Sequence, residues 1–101
     1  MTTKKSQVRD VFASAREYYQ TLEFTTEEPQ YASMVREFEA GLEVLDSLFD
    51  DEDNLIGDEA RLAVRESLAR FRYDVKDAFP LQARLVTSVL NKIAEPSCSG
   101  L

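Results

Sequence analysis

The 101-residue sequence contains no histidine and no tryptophan, one cysteine, three glycines and three prolines. Without histidine there is no imidazole base and no His-ligated metal. A single cysteine closes no intramolecular disulfide. So few glycines and prolines do not supply the frequent turns of an all-β domain. No run approaches the roughly 18 apolar residues of a membrane span. The basic opening Met1-Thr2-Thr3-Lys4-Lys5 leads into a charged amphipathic stretch, where an export signal has an apolar core. The expectation is a cytoplasmic protein that engages no membrane.

What the sequence does hold is ample apolar material and an excess of acid. At 44% hydrophobic, with six phenylalanines and four tyrosines, it supports one folded domain. Nineteen acidic and twelve basic side chains give a formal charge of −7, unevenly placed. Residues 1–22 carry four basic and two acidic groups, a balance of +2. Residues 23–59 carry thirteen acids against Arg36 alone, or −12, and residues 60–101 carry seven basic and four acidic groups, or +3. Such segregation repels nucleic acid and membrane surfaces at the centre of the chain and steers basic partners toward it.

Apolar residues repeat with helical period in four segments, which predicts an all-α bundle over about 6–24, 29–50, 58–79 and 81–94. In the first, Val8, Val11, Phe12, Ala15, Tyr19 and Leu22 fall on one stripe at about 100° per residue. Thr3 or Ser6 is its expected cap. Thr25 followed by Glu28 fits a capping box for the second helix, and Pro29 suits a first turn. Tyr31, Met34, Val35, Phe38, Leu42, Leu45 and Phe49 form its stripe, with Val44 and Leu48 widening it toward deeper burial. Gly41 interrupts it at a cost of about 1 kcal/mol in helix propensity, which a close helix crossing would explain. Acids at 50–53 oppose the helix dipole and end this helix, and Asp58 is a natural N-cap for the next.

Val64, Leu68, Phe71, Val75 and Phe79 form the third stripe, and Phe79-Pro80 breaks the chain. Leu81, Leu85, Val86, Val89, Leu90 and Ile93 cover about half the circumference of the fourth segment, more than a surface helix needs. The expected domain is 6–95, with tails at 1–5 and 96–101. Short connections favour antiparallel packing, with the second and third helices as the central hairpin, or a long hairpin completed by dimerisation.

The acidic run does not satisfy an EF-hand: starting at Asp51, position 5 is Leu55 and position 6, which needs glycine, is Ile56. It reads as a solvated loop, and no metal site is assigned. Cys98 has no histidine or lysine near it to activate a thiolate. The glycines, at 41, 57 and 100, form no phosphate loop. Apolar core stripes leave little room for a pocket that tunes carboxylates, so no catalytic residue and no cofactor are expected.

The third helix carries the most informative surface. Leu62, Ala69 and Tyr73 lie opposite its core stripe. Arg61, Arg65, Arg72 and Lys76 line one flank, and Glu66, Asp74 and Asp77 the other, with Glu66 and Arg70 set for an i,i+4 pair. An apolar line between flanks of opposite charge resembles a recognition seam. The expected partner-binding residues are therefore Leu62, Ala69 and Tyr73, flanked by Arg65, Arg72 and Lys76, together with the acidic loop Asp50, Asp51, Glu52 and Asp53. The basic flank is expected to meet the acidic segment within the chain or across a homodimer, with no direct binding of nucleic acid.

Chain length and a hairpin-like plan resemble the small secreted proteins of the WXG class, and Tyr73 with Asp77 fits their Tyr-x-x-x-Asp signal. The missing tryptophan, the position of that pair inside a helix and the interruptions at Pro29 and Pro80 separate this chain from them. The leading expectation is a non-enzymatic protein-binding module: a small acidic regulator, adaptor or chaperone. The alternative is a phage- or plasmid-type inhibitor whose acidic segment 23–59 mimics nucleic acid and occupies a nucleic-acid-binding protein.

Overall fold

The computed structural model describes residues 3–93, which form four α-helices and no strand. They are α1 (Lys4–Thr26), α2 (Pro29–Leu48), α3 (Gly57–Val75) and α4 (Pro80–Lys92). The helical period of each apolar stripe accounts for all four. Cys98, Pro96 and the expected 96–101 tail lie outside the described residues.

α1 opens where the Thr3 hydroxyl accepts a hydrogen bond from the Ser6 amide, and it takes in Lys4 and Lys5, which sequence placed outside it. The Thr25–Glu28 capping box does not form. Thr25 belongs to the last turn of α1, donating its hydroxyl to the Thr21 carbonyl, and the left-handed Glu27 closes that helix. Glu28 starts α2 with no side-chain cap, because Pro29 already presets the first turn. Asp58 is not an N-cap either: Ile56 holds that place, and Asp58 pairs with Arg61 inside the first turn of α3. α3 ends at Val75, four residues short of expectation, since Pro80 drives Phe79 to an extended φ of −133°.

The helices pack as two hairpins, α1 on α2 and α3 on α4. The expected central α2–α3 hairpin is not formed. Those two backbones stay apart and meet through long side chains, as in the Phe38–Phe71 ring contact at 6.4 Å and the Arg70–Glu37 ion pair at 3.1 Å. Arg70 thus crosses to α2 instead of pairing with Glu66.

Phe12, Tyr19, Phe38 and Phe71 join the hairpins at the centre of the core. Phe12 sits edge-on to Phe38 at 5.2 Å, and Tyr19 stacks on Phe38 at 5.8 Å. Edge-on and offset ring pairs of this kind add roughly 0.5–1.5 kcal/mol beyond area burial. Around them lie Val8, Val11, Ala15, Val35, Leu45, Val64, Leu68 and Val75, all buried. Four expected core positions are not: Val44 is half-exposed because it sits beside the stripe, Phe79 and Leu81 project where α3 hands over to α4, and Leu85 is half-exposed one turn further along α4. Gly41 does mark a close crossing, with the Phe12 ring against its backbone.

Candidate functional site

The acidic loop is built into the fold. Phe49 and Leu55 pair as an isolated antiparallel bridge, and both are buried. Between them the Asp50 carboxylate accepts from the amides of Glu52 (2.9 Å) and Asn54 (3.0 Å), an Asx-type turn. Asp53, held at φ +65°, reaches the start of α1 and accepts from the Lys4 amide and, at 3.0 Å, the Lys5 amide. Partial desolvation pushes the Asp53 carboxyl up, but those amide hydrogen bonds and the two lysine charges outweigh it and hold it below its ordinary range. Asp50 and Asp53 therefore turn a carboxylate oxygen onto backbone amides, Asp53 partly buried and Asp50 still exposed, while Asp51 and Glu52 of the expected quartet stand exposed in the loop.

Other acids of the central segment are also engaged. Asp46 pairs with Arg9 at 2.6 Å and Lys5 at 3.5 Å, and the Arg9 contact chiefly lowers its carboxyl. Glu37 holds Arg70, and Asp58 holds Arg61. Asp74, on the far flank of α3, accepts the Tyr19 hydroxyl, and its backbone carbonyl accepts Tyr18 at 3.2 Å. Burial first, and then the Asp74 carboxylate, push the Tyr19 phenol well above its ordinary value.

The α3 surface divides in two. Near its start, Arg61 donates to the Leu55 carbonyl, and Arg65 donates to the carbonyls of Leu90 (3.0 Å) and Ile93 (2.7 Å). Arg65 thus caps the C-terminal end of α4, placing a cation at carbonyls left open by a helix end. Leu62 is half-exposed, Ala69 partly buried and Tyr73 68% exposed. The three do share a face, with Leu62 about 16 Å from Tyr73 along the helix axis.

Near the end of α3 a shallow groove of about 420 Å³ runs between α3 and α4, lined by Arg72, Tyr73, Lys76, Ala83, Arg84 and Thr87. The Lys76 ammonium lies 4.5 Å from the centre of the Tyr73 ring, a cation–π contact that keeps this large side chain upright in solvent. Among the described residues, Arg72, Lys76 and Arg84 form no ion pair. Arg84, Ala83 and Thr87 were not expected here, because only the α3–α4 pairing brings them alongside Tyr73. The acidic loop stands at the opposite end of α3, about 22–28 Å from the groove by helix rise, so the basic flank meets the acidic segment at the start of α3, where Arg61 pairs with Asp58, and not at this groove.

A second, more apolar cleft of about 460 Å³ opens between α1 and the α3–α4 junction. Tyr18, Leu22, Phe71, Val75, Phe79 and Gln82 line it, and Leu81 and Leu85 stand exposed on α4. The wide apolar face of α4 is thus split: Val86, Val89, Leu90 and Ile93 are buried, while its first turns remain open. Among the described residues, no helix is long and apolar enough to cross a membrane, and no three acidic or thiol side chains converge to hold a metal. Compared with protein-family models, curated proteins and solved structures, the chain matches none.

Proposed function

We propose that this chain is a non-enzymatic, cytoplasmic protein-binding module, a small regulator or adaptor that works by surface complementarity. The observation that carries this reading is Tyr73, a large aromatic held in solvent beside three cations without acidic partners in the fold. Aromatic and arginine side chains concentrate binding energy at protein interfaces. Leu62 and Ala69 extend the same line along α3 and give a partner an apolar seam.

The nucleic-acid-mimic alternative draws less support. Five of the thirteen acids of segment 23–59, Glu37, Asp46, Asp50, Asp53 and Asp58, make contacts within the fold, so part of its acid is engaged by the chain's own groups.

The test is the double variant Leu62→Glu/Tyr73→Glu. Both positions are exposed enough to accept glutamate, so its circular dichroism and melting should stay close to the parent. Capture of a partner from the native host, and any self-association seen by light scattering, should be lost. A correctly folded variant that still captures the same protein at the same yield refutes this site.

A further inference from the structure

The protein-binding reading leaves the chemistry of the partner open, and at this groove it resolves against the sign of the whole chain. We infer that the α3–α4 groove docks a carboxylate-rich segment of a partner protein carrying an apolar residue. The inference rests on the proposed function and names the partner for that surface.

Charge complementarity is the first support. The described cations elsewhere mostly have structural work: Lys5 and Arg9 hold Asp46, Arg61 holds Asp58, Arg70 holds Glu37, and Arg65 caps α4. Arg72, Lys76 and Arg84 converge on one groove from two helices, and no acid lines it. Asp74 lies on the opposite flank, where it accepts the Tyr19 hydroxyl, and Asp77 is exposed in the turn after α3. The groove therefore keeps a local excess of positive charge in a chain whose total is −7.

Shape is the second support. Between the cations lie the Tyr73 ring and the small Ala83, and a volume of about 420 Å³ takes two or three side chains but no buried helix. Tyr73 with Lys76 already above its ring gives an amphipathic floor. An apolar side chain of the partner seats against Tyr73 and Ala83, and its neighbouring carboxylates reach Arg72 and Arg84, where guanidinium accepts bidentate pairing. A nucleic-acid strand shares the anionic chemistry, but its approach places many phosphates against a molecule of opposite preference, and the groove offers one aromatic platform only.

The probe is a fluorescein-labelled peptide of about 12 residues with glutamate pairs separated by single leucines. Its controls replace every glutamate by glutamine, or every leucine by serine, and an oligothymidylate of similar length supplies the other polyanion. Fluorescence anisotropy with the full chain should show binding of the acidic leucine peptide that weakens with salt and exceeds both peptide controls. Arg72→Glu/Arg84→Glu should reduce that binding by about tenfold or more with unchanged circular dichroism. Should the double variant not fold, the exposed Arg84→Gln alone should weaken binding by about threefold. Absence of binding, equal binding of the glutamine peptide, or equal or tighter binding of oligothymidylate overturns the inference. So does a salt-sensitive self-association that the charge reversal abolishes, since the occupant is then a second copy. If Leu62→Glu/Tyr73→Glu loses the host partner while Arg72→Glu/Arg84→Glu keeps it, the acidic partner is wrong and the protein-binding reading stands.

Discussion

Gly41 offers a quantitative test of the packing between α1 and α2. It sits inside a regular helix, so Gly41→Ala should gain about 1 kcal/mol of helix propensity if nothing opposes it. The structure opposes it. A methyl at that position lies 2.7 Å from Phe12 Cε2 and 3.1 Å from Cδ2, against an ordinary carbon–carbon contact of about 3.5–4.0 Å. The ring has little freedom to retreat, being 4% exposed and edge-on to Phe38 at 5.2 Å. Overpacking of this kind costs about 1–3 kcal/mol, so the net expectation is a loss of about 1 kcal/mol. In a domain of this size that lowers the melting temperature by about 4–8 °C.

Urea denaturation followed by circular dichroism measures the change, and a cycle with Phe12→Leu isolates its cause. Leucine removes the ring edge, so in that background Gly41→Ala should be neutral or stabilising. The coupling energy should then be about 1–2 kcal/mol. A Gly41→Ala variant that is about 1 kcal/mol more stable than the parent, or a cycle with no coupling, refutes the close crossing and with it the α1–α2 register.

Two further outcomes test how the loop and α4 are held. Asp53→Ala should destabilise the fold by about 1–2 kcal/mol, the usual value of a helix cap with its charge, and should raise amide exchange in the first turn of α1. Because the Asp53 carboxyl is lowered in the folded state, its contribution is present above the unfolded value near pH 3.9 and is lost as pH falls through the folded one. The parent should therefore lose more stability than Asp53→Ala between about pH 5 and pH 2, and parallel urea midpoints across that window would contradict the cap. Arg65→Met removes two donors from the end of α4 and should cost about 1–3 kcal/mol, with exchange protection falling first around Leu90. Unchanged protection there would show that α4 is held by its apolar contacts alone.

The parts of this fold that the sequence carried openly are those governed by local period. Val8, Val11, Phe12, Ala15 and Tyr19 recur at helical spacing, and every one is buried. Gly41 could be flagged because propensity alone penalises it. What was not legible depends on residues distant in sequence. Asp53 caps a helix that starts 49 residues earlier, and nothing in Asp50-Asp51-Glu52-Asp53 distinguishes the inward carboxylates from the outward ones. Arg65 and Arg72 look alike on a helical wheel, yet one reaches open carbonyls of α4 and the other lines a groove. The hairpin pairing escaped for a related reason: stripes state which face is buried, not which helix buries it. Arg84 carries no sequence signal for the same reason, since its neighbours on α3 are set by that pairing.

Position also changes the meaning of the acidic total. Asp51 and Glu52 lie before the start of α3, and Arg72, Lys76 and Arg84 gather near its end, about 22–28 Å away by helix rise. At physiological ionic strength the screening length is about 8 Å, so the two ends are separated by about three such lengths. A partner approaching the groove therefore senses the local cations far more than the distant loop, and a net charge of −7 does not repel it. The salt dependence of association at that end must then carry the sign of an attraction between opposite charges. Whole-chain charge predicts the reverse for any acidic partner: salt should strengthen the complex by screening repulsion. The two expectations differ in sign, so a single titration of binding against salt decides whether the groove or the total charge governs docking.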